Sequence, residues 1–166
     1  MRRIALLLAS AGMLAALTAG PVAAREPGST IVDTAIAVNA ANGEFDHLIA
    51  AVVRAGLVDT LDGRRQYTVF APTDAAFEDL FDALGVSGVG DIPVGTLRAV
   101  LLYHVAPGER FSGDVLTSSR IRTVSKQFLH PSIRGGTPYI DDARIVAADI
   151  DVANGVIHVI DAVLLP

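Results

Sequence analysis

TVFAPTDAAF, residues 68–77, is the stretch whose reading decides the fold. It opens with β-branched and aromatic residues, breaks at Ala-Pro, and passes through Thr-Asp into helix formers. Two readings compete: a catalytic strand-to-helix elbow and a structural corner. A nucleophile elbow needs Gly-x-Ser-x-Gly, and this stretch has neither glycine nor serine. As a corner, every residue has a task. Thr68, Val69 and Phe70 form a strand buried on at least one face. Pro72 lacks an N–H to donate and is expected to stop that strand. It also biases Ala71 to an extended conformation. Thr73 or Asp74 offers a side-chain oxygen to the free N–H groups of the next helix, and Asp74 suits the positive end of its dipole. Phe77 is the first residue of that helix to face the core.

Working outward, the upstream chain reads as helical. Thr30–Ala41 is rich in Ala, Ile and Val, and Asn42-Gly43 ends it. Phe45, Leu48, Ile49, Val52 and Val53 recur at one helical face. Downstream, Phe77, Leu80, Phe81 and Leu84 repeat that spacing before Gly85. Pro93 opens a further helix with Leu97, Val100 and Leu101 inward. After Leu102 the pattern changes to strands: 103–106, 121–124, 139–140, 143–147 and 156–165. The turns between them are Pro107-Gly108, Gly135-Gly136, Asp141-Asp142 and Asn154-Gly155, of which the last is the strongest hairpin signal. Helices crowd the first half and strands the second, so the fold class is α+β.

The 166 residues suit one domain with an appendage. Met1-Arg2-Arg3, an apolar run from Ile4 to Ala19, and small residues up to Ala24 read as a secretory signal, residues 1–24, cleaved after Ala24. A short leader, 25–29, precedes the domain at 30–166. The protein is therefore expected to be secreted or periplasmic, with no integral membrane association after cleavage. The chain has no cysteine, which excludes disulfides and thiolate metal sites. The net charge of −5 includes two signal arginines, so the mature chain is more acidic still, and nucleic acid is not an expected partner.

Few residues nominate chemistry. Gly85-Val86-Ser87-Gly88-Val89 lacks the last glycine of an elbow, and no Walker A or GxGxxG pattern occurs. Alternation puts Tyr103 and Val105 on one strand face and His104 and Ala106 on the other. It groups His158 with Val156 and Ile160, opposite Ile157, Val159 and Asp161, so one of His158 and Asp161 shares the core face. The expected role of both His104 and His158 is a satisfied polar group. His47 and His130 stand at no metal-like spacing, so neither a metal nor a cofactor is expected. Asp149-x-Asp151 places two carboxylates on one face, but no calcium loop surrounds them.

Three stretches together resemble the conserved boxes of the fasciclin (FAS1) domain family. TVFAPTDAAF is similar to the first, with Thr68, Phe70, Pro72, Thr73, Asp74 and Phe77. LLYHVAPG, 101–108, is similar to the central Tyr-His box. NGVIHVIDAVLLP, 154–166, is similar to the second conserved box, with Asn154, Gly155, His158 and Asp161. The resemblance implies a β-rich wedge or sandwich with helices clustered on one side. It implies an exported, non-enzymatic adhesion or interaction module whose partner is a protein or a glycan at a cell surface or matrix. It also implies partner binding at Leu102, Tyr103, His104 and Val105. The alternative is a binder of a small apolar ligand, which a deep apolar pocket would favour. An enzyme would need a cleft of titratable groups with shifted pKa values.

Overall fold

The computed structural model describes residues 28–166. The signal reading at 1–24 and most of the 25–29 leader lie outside them. Five helices come first: α1 (Ile31–Asn42), α2 (Asp46–Arg54), α3 (Val58–Leu61), α4 (Asp74–Leu84) and α5 (Val94–Tyr103). They are interrupted by β1 (Tyr67–Pro72), and β2 (Val105–Pro107) follows α5. The remainder is α6 (Ser112–Thr117), β3 (Ile121–Arg122), β4 (Phe128–Leu129), β5 (Pro131–Arg134), β6 (Thr137–Ile140), β7 (Ala143–Val152) and β8 (Gly155–Ile160).

One six-stranded sheet organises the molecule, in the order β2-β1-β8-β7-β6-β5. β1 and β8 run parallel at its centre, Tyr67 opposite Gly155 through Pro72 opposite Ile160. The other pairings are antiparallel. The register of β7 on β8 slips twice between Ile145 and Ile150, which bends the strand. β3 and β4 form a separate two-stranded ladder.

Both faces of the sheet are buried, and they carry different cores. On one side Val69 and Ala71 of β1, Ile157 and Val159 of β8, and Ile150 of β7 meet Leu48, Phe77, Phe81, Leu97 and Leu101 from the helices. On the other side Phe70 and Ile160 meet Tyr103, Val115, Ile121, Leu129 and Leu164. This explains why β8 is apolar at nearly every position: a strand covered on both faces has no solvent side to alternate with. The choice between His158 and Asp161 for a single core face does not arise.

The opening corner forms with two adjustments. β1 runs on through Pro72 instead of ending before it. β2 pairs only with Tyr67, Thr68 and Val69, so Pro72 lies beyond the second neighbour and its missing N–H breaks no ladder. Thr73 is the N-cap of α4, its hydroxyl accepting from Ala76 N at 3.4 Å. Asp74 caps a different helix. Its carboxylate takes Asp46 N at 3.1 Å and His47 N at 2.8 Å, the first free donors of α2, whose own N-cap Phe45 has no oxygen to offer.

Other expectations shift. Leu84 is exposed, outside the core stripe of α4. Tyr103 is the last residue of α5 and His104 its C-cap, so strand alternation does not apply to the pair. The last strand ends at Ile160, and residues 161–166 continue as irregular chain with Leu164 buried. The β7–β8 hairpin turns on Ala153-Asn154, one residue earlier than the Asn154-Gly155 pattern suggests. Gly155 belongs to β8, where it passes so close to β1 that a Cβ would lie 1.9 Å from Tyr67 O. Only glycine fits that approach.

Candidate functional site

The residues of the three boxes converge at the sheet centre. Thr68 is fully buried; its hydroxyl donates to Gly108 O at 2.7 Å and accepts from Arg110 N at 2.9 Å. Asn154 is a hub beneath the helices. Its Oδ1 accepts from Ile31 N at 2.8 Å, and its Nδ2 donates to Leu61 O at 2.6 Å and Gly63 O at 3.1 Å. Asp161 accepts from Arg144 N at 2.8 Å and pairs with the Arg144 guanidinium at 3.2 Å, closing β8 against β7.

The two box histidines are interior, with opposite tautomers set by their partners. His104 is 2 % exposed. Its Nδ1–H donates to Val100 O at 2.7 Å, and its Nε2 accepts from Leu164 N at 2.9 Å, pinning the C-terminal segment to the end of α5. Burial lowers its pKa to about 4, against a smaller opposing effect of the Val100 carbonyl. His158 stacks on Phe70 at 5.5 Å between centroids. Its Nε2–H donates to Arg110 O at 2.8 Å while Nδ1 accepts from Asp149 N at 3.3 Å. Burial lowers its pKa too, opposed by the Arg110 carbonyl and the Asp149 charge.

Of the four residues in the central box expected to bind a partner, His104, Val105 and Tyr103 are buried and Leu102 is half-buried. Tyr103 reaches outward through its hydroxyl, which donates within a cluster formed by Asp141 Oδ2 at 3.0 Å and Phe128 O at 3.1 Å. Burial first, then the hydrogen bond to Asp141 and its negative charge, push this phenol up to about 12. Asp141 sits at φ 50°, a left-handed conformation that Asp tolerates better than most residues. From there its Oδ1 accepts from His130 N at 2.9 Å and lies 3.4 Å from His130 Nδ1.

Above this hydroxyl opens a surface cleft of about 500 Å³, walled by Phe128, His130, Ser132, Arg134, Asp142 and Leu165. Arg134 pairs with Asp142 at 3.2 Å and lies over the Tyr139 ring at 4.9 Å. The cleft holds hydrogen-bond donors and acceptors, side chains of both charge signs, and apolar edges from Phe128 and Leu165. Sequence reasoning singled out Tyr103 but missed His130, Ser132 and Arg134. Ser132 and Arg134 lie on β5, whose alternation of Pro, Ser, Ile and Arg spans only four residues, too short a run to mark a strand, and His130 immediately precedes it.

A second cleft lies under α1. It measures about 150 Å³, and every lining residue is apolar, among them Val32, Ile36, Leu48, Ile49 and Val53. Among the described residues, no three His, Asp or Glu side chains gather into a group that could hold a metal ion. Asp149 instead receives the Ser112 N–H at 2.5 Å and hydroxyl at 2.6 Å, at the start of α6. Among the same residues no helix is long and apolar enough to cross a membrane.

Comparison with known proteins agrees with the family resemblance. A family model for the Fasciclin domain matches residues 43–166. The chain is 35 % identical over 156 residues to Protein sll1483 of Synechocystis sp., covering 87 % of this chain and 77 % of that one. It is 32 % identical over 139 residues to Immunogenic protein MPB70 of Mycobacterium bovis, covering 79 % and 68 % respectively. The fold is similar to that of a FAS1 domain pair from the insect cell adhesion molecule Fasciclin I. There the TM-score is 0.68 at 17 % identity, over 83 % of this chain and 51 % of that one.

Proposed function

The chain belongs to the fasciclin domain family, a family of adhesion and interaction modules, and from that premise we propose that it is an exported module that binds a protein partner through the Tyr103 cleft. One observation carries the reading: Tyr103, His104 and Val105 are buried, and of the three it is Tyr103 whose hydroxyl meets the floor of a surface cleft. A box role in binding therefore runs through this opening, with His130, Arg134 and Asp142 as the contacting groups and His104 holding the scaffold behind them. The basic and apolar start of the chain supports export to the periplasm or medium. Non-enzymatic action is supported by the use of His104 and His158 as interior staples.

The test is binding of the purified protein to the surface fraction of its own cells, beside a His130→Ala/Arg134→Glu variant. Both residues are exposed, so the variant is expected to keep its melting temperature and lose binding. Retention of full binding would place the interface elsewhere. Loss of binding after glycosidase treatment of the surface, but not after protease, would identify a glycan partner instead. A second reading, a binder of a small apolar ligand, is favoured by the cleft under α1.

A further inference from the structure

The cleft under α1 differs from a packing gap in how its walls are held. Of the residues in α1, only Ile31 at its start is buried. A helix resting on an apolar surface normally sinks until its own apolar stripe is covered. Here polar clamps hold both ends at a set height. At the N-terminal end Ile31 N donates to Asn154 Oδ1 at 2.8 Å and Ala153 N to Ser29 O at 2.8 Å, beside a Thr30–Asp33 capping box. At the C-terminal end Asn39 receives Phe45 N at 2.8 Å and donates to Asp46 at 2.7 Å. Between the clamps Val32 and Val38 pack against the core, while an apolar cleft stays open beside Ala35 and Ile36.

That space has a definite chemistry. It offers no hydrogen-bonding group, so it cannot recognise a polar head. The cleft measures about 150 Å³, room for a molecule of about benzene size. Ile36 and Val53, 50 % and 62 % exposed, stand on its walls where it meets solvent. Building on the small-ligand reading above, we infer that the cleft binds the hydrocarbon end of a lipid-like molecule, about six carbons entering and the head group staying outside. Selectivity then falls on chain length and is blind to the head group.

The experiment follows methyl NMR signals of Val32, Leu48 and Val52 while benzene, then n-alkanols from butanol to decanol, are added to the purified protein. Benzene is expected to shift these methyls, and alkanol affinity to rise up to about hexanol and then level off. Hexanoate should displace benzene as hexanol does. Ala35→Leu, which fills the cleft from α1, should abolish the shifts. Ile49→Phe fills it from α2 and serves the same purpose should the first variant fail to fold. No shift at saturating benzene would overturn both the inference and the small-ligand reading. Benzene shifts combined with affinity that keeps climbing to decanol, or that survives a folded filling variant, would overturn the inference alone.

Discussion

The two sides of the central sheet solve the same problem in opposite ways. Beneath the helices the core is almost wholly apolar, its polar anchoring confined to the buried Asn154 and to Asn39 and Asp74 at the helix ends. On the other side His104, His158, Thr68 and the Tyr103 hydroxyl lie inside, each with its polar atoms matched to partners. The helical side can therefore tolerate an unfilled cleft, because no buried donor is stranded by it. On the opposite side, losing His104, His158 or Thr68 orphans a hydrogen-bond partner. Apolar packing degrades gradually, whereas a buried polar network fails in steps.

The sharpest way to break this comparison is His104→Ala. It strands Val100 O and Leu164 N and leaves a ring-sized void, at an expected cost of about 4 kcal/mol from the two unmet groups and the cavity. Urea unfolding measures it; a loss below about 1 kcal/mol would make the two sides equivalent. Next comes acid. The folded-state pKa of His104 lies near 4, below the usual 6.5, so the unfolded chain binds the extra proton first. The stabilisation is complete above pH 6.5 and is lost as pH falls towards 4, by about 3 kcal/mol. His158 acts in the same direction. Denaturant midpoints measured at pH 7, 5.5 and 4 should decline accordingly, and more shallowly in a His104→Gln variant.

On the helical side Leu48→Ala is expected to cost about 2 kcal/mol, the low end for a buried leucine, since it widens a cleft that already exists. Asp74→Ala uncaps α2 and should cost about 1 kcal/mol, read as a small drop in thermal midpoint. Were either to exceed His104→Ala, the contrast between the sides would be reversed.

The helical side was also the more legible in sequence. α2, α4 and α5 announce themselves through repeated apolar spacing and α1 through its Ala, Ile and Val content, and Gly43 and Gly85 do stand in left-handed positions after α1 and α4. The opposite side is built of pieces too short to show a period: α6 with six residues, β4 with two, β5 with four. Tyr103-His104 read as strand because aromatic and β-branched residues surround it, while the helix in fact persists to deliver His104 onto Leu164. Asp74 was recognised as a cap, yet its client was α2, a contact made across 28 positions that no local pattern reveals. The Tyr103 cleft is assembled from α5, β4, β5, the β6–β7 turn and residue 165, so spacing along the chain could not show it.

The parallel pair at the sheet centre governs when this protein can fold. β1 finds its partner in β8, near the far end of the chain, and both cores close only when that strand slots in. Pairing over so long a loop is slow and cannot begin during early synthesis. A chain emerging from the ribosome thus has no native centre to collapse around until β8 has been made.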